Sequence, residues 1–302
     1  MTMPNFFLIG AQKAGTTSLY SYLKQHPQIY MSPRKEPHFF KGIHSEDQRR
    51  GGDLAPVTDI GDYQALFEGV TDEKAIGEAS ASYLYSPSAP ALIKRSIPDA
   101  RLIAVLRNPA DRAYSNYLFC VQMGREPLAS FVDALQSEER RIREDWGSLW
   151  HYRQKGFYYT QVKRYFDIFG QDQVKVYLYD DLRGNPFGML SDIFRFLGVD
   201  ETFVPDLSIE HNTTGLPRNK SLYLLAKRLT ANHPALESGV LDRLLPAAPR
   251  RYVKKRIFVE PPPLPAEVRR QLIDVYREDV LELQDLIRRD LSPWLEDDGD
   301  RR

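Results

Sequence analysis

The stretch FLIGAQKAGTTSLYSYL, residues 7–23, constrains the fold more than any other part of this chain. An apolar run leads into Gly10, four residues separate it from Gly15, and a Thr pair opens a helical pattern. A strand that passes through G-x-x-x-x-G into a helix gathers several backbone N–H groups, and the positive end of the helix, around one point. Phosphate or sulfate suits that point. The loop from Gly10 through Ala14 and Gly15 would cradle it, and the hydroxyls of Thr16, Thr17 and Ser18 would add donors. The alternative is a tight strand–helix turn with no ligand. In triphosphate-binding loops of this outline a lysine follows the second glycine. Here Thr16 stands in that place and the lysine, Lys13, lies inside the loop. A lysine so placed sits beside the bridging oxygen of a bound anhydride, where it can neutralise charge building on a leaving group.

A second strand end completes the pattern. RLIAVLRNPADRAYSNY puts Arg107 at the carboxyl end of an apolar run, the edge at which ligands of open α/β sheets bind. Asn108 is a cap, Pro109 suits the first helical position, and Asp111 falls in the positive first turn. Ser115 lies about two turns into that helix, so an arginine fork and a hydroxyl can hold a second phosphate. Otherwise Arg107 is a partner of Asp111 and Ser115 a packing residue. The run ends in arginine where a metal-binding loop would need an acid. A metal-free anhydride therefore fits better than a metal-bound triphosphate, and no metal is required.

Strand-like runs occur at Phe6–Ile9, Gln28–Met31, Arg101–Leu106 and Val174–Tyr179. Helical patterns occupy Thr17–His26, Pro87–Arg95, Pro109–Val121, Thr160–Phe169 and Pro186–Leu197. This alternation indicates an α/β fold: a single P-loop-like domain over 1–302 with a central, mostly parallel sheet flanked by helices. Segments 42–60 and 203–265 read as irregular. After EPPPLP, an apolar stripe of Val268, Leu272, Val275, Leu283 and Leu286 marks a long final helix, and the tail 296–302 reads as frayed. The 41 basic and 41 acidic residues cancel, which argues against a general nucleic-acid binder. No run is long enough for a membrane span, and the lone Cys120 fits a reducing compartment. A cytoplasmic location is expected.

Together the two loop sequences resemble the donor-binding signatures of sulfotransferases that use 3′-phosphoadenosine 5′-phosphosulfate (PAPS). KEPHFF, residues 35–40, brings the resemblance closer to the carbohydrate branch that modifies heparan-type glycans, and to its bacterial relatives. GEASASYLYSP (77–87), the QVKVYLYDDL strand and DLSPWL extend it over the whole chain in order. The resemblance implies that Lys13 contacts the 5′-phosphosulfate, with Gly15, Thr16 and Thr17 around it, and that Arg107 and Ser115 bind the 3′-phosphate. It also implies that Glu36 is the base that takes the acceptor proton, with His38 as alternative or accessory.

Two departures stand out. Glu78 is followed by Ala79 where heparan-type members have a substrate-binding lysine, so Glu78 either contacts acceptor or buttresses Lys13. The disulfide-closed hairpin of several members is absent; HNTTGLPRNKS offers Gly215, Arg218 and Lys220 in its place, or is a polar surface loop. The basic run RRYVKKR, 250–256, either attracts an anionic acceptor or is a solvated face. GFYY, 156–159, is an acceptor wall or helix packing. The expected activity is sulfuryl transfer to a hydroxyl of a carbohydrate, lipid or small metabolite, releasing adenosine 3′,5′-bisphosphate. A P-loop kinase using Mg-ATP and a non-catalytic nucleotide-binding module are the alternatives.

Overall fold

The structure, a computed structural model, describes residues 2–42, 56–208, 216–217, 258–259 and 261–296. Its centre is a five-stranded parallel sheet in the order β2-β3-β1-β4-β5, formed by β1 (Phe6–Gly10), β2 (Ile29–Met31), β3 (Ala75–Ala79), β4 (Arg101–Leu106) and β5 (Val174–Leu178). Every residue of β1 and all of Leu102–Leu106 are buried, as parallel strands covered on both faces must be. Around the sheet run α1 (Thr16–Leu23), α2 (Ile60–Ala65), α3 (Ala89–Ser96), α4 (Pro109–Gln122), α5 (Phe131–Gln136), α6 (Glu138–Arg143), α7 (Tyr159–Phe169), α8 (Tyr179–Gly184), α9 (Pro186–Leu197) and α10 (Ala266–Ile287). Two-residue strands β6 (Leu216–Pro217) and β7 (Phe258–Val259) pair antiparallel apart from the main sheet.

The four expected strands form, each within a residue of its expected ends. The fifth, β3, was not anticipated, because Gly77 and Glu78 interrupt its apolar character. Both have physical reasons. A Cβ on Gly77 would lie 2.2 Å from Phe6 Cζ and 2.6 Å from Met31 Sδ, so only glycine lets the neighbouring strands' side chains cross there. Glu78 is satisfied by hydroxyls, as described below. The helix starts follow their caps: Asn108 Oδ1 accepts from the N–H groups of Ala110 and Asp111 at 3.0 and 3.3 Å, and Asn185 Oδ1 accepts from Gly188 at 3.0 Å.

The final helix needs one correction. Its buried stripe is Val268, Leu272, Ile273, Tyr276, Asp279, Val280 and Leu283, whereas Val275 is 44% exposed. At 3.6 residues per turn, Tyr276 continues the line from Leu272 and Val275 falls beside it. Asp279 lies on the buried side because its carboxylate accepts from the N–H groups of Tyr158 (2.7 Å) and Tyr159 (3.2 Å) at the start of α7. GFYY is helix packing: Tyr158 is buried and Phe157 lies edge-on to Tyr276 with ring centroids 5.1 Å apart. The tail beyond 296, the run 250–256 and most of 203–265 lie outside the described residues.

Gly77→Ala is expected to lower stability by about 1–3 kcal/mol, because the added methyl overpacks a filled interior. Equilibrium urea unfolding would measure the change.

Candidate functional site

The carboxyl ends of β1 and β4 form the crevice of the sheet, since the chain leaves β1 toward β2 on one side and β4 lies on the other. The β1–α1 loop crosses that crevice. Ala11 N–H donates to Val105 O at 2.7 Å, and Arg107 Nη1 donates to Lys13 O at 3.3 Å, so the two strand ends are tied together. Gly15 takes φ 87° to turn into α1, and a Cβ there would stand 2.7 Å from Leu182 and 3.1 Å from Tyr179 of α8. The N–H groups of Gly15, Thr16 and Thr17 find no acceptor among the described residues, which leaves the first turn of α1 open for an anion.

Lys13 itself has φ 70°, and its Nζ lies 4.4 Å from the centroid of the Phe119 ring on α4. Ser115 is one turn before Phe119 on the same face of α4, and its hydroxyl has no partner among the described residues. The Arg107 guanidinium stacks 4.9 Å over Tyr179 and faces no carboxylate among those residues. Burial, then the nearby Arg107 charge, lowers the Lys13 amine from 10.5 to about 8. Two cations are thus held near each other with no carboxylate between them among the described residues.

Two of the residues expected in this cradle do other work. Gly10 is needed for protein packing: a Cβ there would meet Leu84 Cβ at 2.7 Å and Ala81 O at 3.0 Å. Ala14 is fully buried and its N–H donates to Ala11 O at 3.2 Å, so it offers no donor to a ligand. Gly215, Arg218 and Lys220 lie outside the described residues.

KEPHFF runs past the end of β3 and is stitched to it residue by residue. Glu36 N–H donates to Ala79 O at 2.8 Å, and Glu36 Oε2 accepts from Ala81 N–H at 2.9 Å. Its other oxygen meets Lys35 Nζ at 2.7 Å, and its side chain keeps 21% exposure. His38 is buried, with Nδ1 2.9 Å from Ser82 Oγ and 3.7 Å from Glu36 Oε2. Of the two candidate bases, Glu36 is the one open to solvent.

Glu78 is a correction. It is 0% exposed, so it does not touch an acceptor, and its oxygens are taken by Tyr63, Ser80 and Tyr83, not by Lys13. Burial pushes its carboxyl up to about 7 against the pull of those three hydroxyls.

Beside Ser82 opens a cleft of about 370 Å³, lined by Tyr85, Trp146, His151, Arg164 and Lys41 among others. Tyr85 OH and His151 Nδ1 are 2.9 Å apart, and Arg164 Nη1 donates to Ser86 O at 3.3 Å. Sequence reasoning missed Trp146, His151 and Arg164. They come from two segments, 146–151 and α7, and carry no motif; Tyr85, inside GEASASYLYSP, was signalled.

Residues 3–239 match the family model described as a sulfotransferase domain. The chain belongs to the sulfotransferase family. A crystal structure of a sulfotransferase from Alicyclobacillus acidocaldarius superposes with a TM-score of 0.74 at 36% identity, covering 98% of this chain and 100% of that one. The human bifunctional heparan sulfate N-deacetylase/N-sulfotransferase 3 is 27% identical over 302 residues, 97% of this chain and 31% of that protein. Human heparan sulfate glucosamine 3-O-sulfotransferase 3B1 is 27% identical over 251 residues, 80% of this chain and 60% of that protein. The chain therefore spans about a third of the length of the first relative and three-fifths of the second. Membership sets aside the kinase and the non-catalytic module. Among the described residues no helix is long and apolar enough to cross a membrane.

The lowered Lys13 amine has a stability consequence with a definite sign. Its folded value lies below the unfolded one, so the charged form is penalised in the fold at neutral pH. That penalty fades as pH rises from about 8 toward 10.5. Lys13→Met is expected to raise the melting temperature at pH 7, with the gain shrinking over that interval; melting curves at pH 7, 9 and 10 would check it.

Proposed function

We propose that this protein transfers a sulfuryl group from PAPS to a hydroxyl of a carbohydrate acceptor, with lipid or small-metabolite hydroxyls as the wider class. The single observation that carries the reading is the pair Lys13 and Arg107. They are tied across the ends of β1 and β4, share no counter-ion among the described residues, and face an open helix N-terminus. The heparan-modifying relatives support the carbohydrate class of acceptor.

The residues present fit such a donor. The N–H groups of Gly15, Thr16 and Thr17 would hold the 5′-phosphate, while Arg107 and Ser115 would hold the 3′-phosphate. When bound, the donor supplies an electron-poor sulfur and a phosphate leaving group. Lys13 would neutralise the charge that develops on the leaving oxygen, a form of preorganised stabilisation worth about 10²–10³ in rate. Glu36 would accept the acceptor's hydroxyl proton, its carboxylate oriented by Ala81 N–H and Lys35. His38, held by Ser82, would border the same point. No covalent enzyme intermediate is needed.

The cleft beside Ser82 is the natural approach for the acceptor. Its walls combine the Trp146 and Tyr85 rings with the Arg164 guanidinium, a mixture suited to a sugar ring bearing polar groups.

Isothermal titration with adenosine 3′,5′-bisphosphate, in the absence of metal, tests the donor site. Binding should be tight, and Arg107→Ala should weaken it about 10–100-fold, the loss of a charged hydrogen-bonding partner. Lys13→Ala should largely abolish transfer while leaving the protein folded. Normal transfer by both variants would sink the assignment. On the acceptor side, Trp146→Ala is expected to raise the KM for O-desulfated heparin, whose hydroxyls are free, without changing bisphosphate affinity, as steady-state kinetics would show.

A further inference from the structure

Glu78 is a carboxylate sealed inside the core, with no cation beside it among the described residues. Burying an unpaired carboxylate is costly, so a position that keeps one calls for an explanation beyond packing. Its partners supply it. Ser80 Oγ donates to Glu78 Oε1 at 2.5 Å; Tyr63 OH and Tyr83 OH donate to Oε2 at 2.6 and 3.2 Å. Two of these hydroxyls have a second bond. Ser80 Oγ accepts from His38 N–H at 3.1 Å, and Tyr83 OH accepts from Phe40 N–H at 3.0 Å.

A hydroxyl carries one hydrogen. With Glu78 ionised, that hydrogen points at the carboxylate, the lone pairs are left to face the loop, and the loop's N–H groups have acceptors of fixed polarity. The segment so held is the one that would carry the proton acceptor. It needs holding, because Glu36 and His38 take φ 59° and 57°, left-handed values that cost roughly 1–3 kcal/mol each for residues with side chains. The third hydroxyl bearer, Tyr63, stacks its ring on Phe39 of the same segment, with centroids 4.2 Å apart and planes at 12°. Its hydroxyl, however, contacts no loop N–H.

We propose that Glu78 is a positioning residue: through the hydroxyls of Ser80 and Tyr83 it fixes the backbone of residues 36–40 and so the placement of Glu36 and His38. The consequence for catalysis rests on the sulfuryl-transfer reading above; the consequence for the loop does not. Glutamine in place of Glu78 keeps the volume but offers one carbonyl and one amide. Whichever oxygen site the amide takes, Ser80 or Tyr83 faces an N–H there, must accept from it, and no longer has its hydrogen fixed by a carboxylate. The link from that hydroxyl to the loop N–H is then weakened.

The test is residue-resolved amide hydrogen exchange on the full chain, with thermal melting alongside. In Glu78→Gln, the amide of His38, Phe40 or both should exchange roughly tenfold or more faster than in the wild type. Ser80→Ala should expose His38 alone and Tyr83→Phe should expose Phe40 alone, which keeps the idea testable even if the glutamine variant does not fold. Tyr63→Phe removes an equivalent bond to Glu78 but no link to the loop, and should leave both amides protected. With O-desulfated heparin as acceptor, Ser80→Ala and Tyr83→Phe should lower kcat with bisphosphate affinity unchanged, and Tyr63→Phe should not. Wild-type protection in Ser80→Ala and Tyr83→Phe would overturn the proposal. So would equal loss of protection and kcat in Tyr63→Phe, which would make Glu78 a general prop of the core. Exchange behaving as stated while the wild type transfers no sulfate would support the positioning role and overturn the functional reading instead.

Discussion

The site depends on β1 being the central strand of a parallel sheet, paired to β3 on one side and β4 on the other. Parallel neighbours end at the same edge, so three chain segments emerge together: the Lys13 loop from β1, the Glu78–Ser82 turn from β3, and Arg107 from β4. Each is then bonded to another at that edge. Ala11 N–H reaches Val105 O, Ser80 N–H reaches Leu8 O at 3.1 Å, and Leu84 N–H reaches Ile9 O at 2.8 Å. Gly77, packed under Phe6 and Met31, ties the register of β1, β2 and β3. A one-residue slip would move Lys13 relative to Arg107.

Buried carboxylates serve the irregular segments around this edge in a common way. Asp279 accepts from the N–H groups of Tyr158 and Tyr159, and Glu138 accepts from those of Arg153 and Gln154 at 2.6 and 2.7 Å. Glu126 accepts from Leu128 N–H while pairing with Arg141 and Tyr152. Loops have no ladder to absorb their N–H groups, and a buried loop must find acceptors elsewhere. Asp279 and Glu138, drawn from helices, and Glu126, itself in a loop, fill that need and hold the segment from 152 to 159 next to the Tyr85–His151 side of the cleft. Glu78 differs in acting through hydroxyls, which lets one carboxylate hold two N–H groups it does not touch.

The crevice at the ends of β1 and β4 was legible because it follows from local order. Glycine spacing, a strand end and the Asn108-Pro109 helix start are features of neighbouring residues, and the structure keeps them where the sequence puts them. Of the segments around the neighbouring cleft, only KEPHFF and GEASASYLYSP were legible. Trp146, His151 and Arg164 meet through tertiary packing of segments with no pattern in common. Glu78 was misjudged for a related reason: an acid beside the motif suggests a ligand contact, and only the three-dimensional neighbourhood reveals hydroxyls from residues 63, 80 and 83 closing around it. β3 was overlooked through the same residue and Gly77, both of which are explained by their cross-strand neighbours and not by propensity. Val275 shows the limit of a stripe read without its partner surface.

The position of the loop lysine now has a physical account. A lysine after the second glycine would project from the first turn of α1, but that position is Thr16, which is buried. With φ 70° at Lys13, the side chain leaves the loop ahead of the helix and lies along Phe119, between the β1 loop and α4. The ring offers the ammonium a cation–π contact but no counter-charge. Arg107 likewise gains a ring, Tyr179, and a carbonyl, but no acid among the described residues. Over the whole chain positive and negative charges balance, so acids were available to neutralise the pair. Burial first, and repulsion from Arg107 second, lower the Lys13 amine and disfavour the empty site. On the proposed reading, an anion with two separated negative groups would relieve that repulsion at both ends, which is why a bisphosphate would suit this crevice more than a single phosphate.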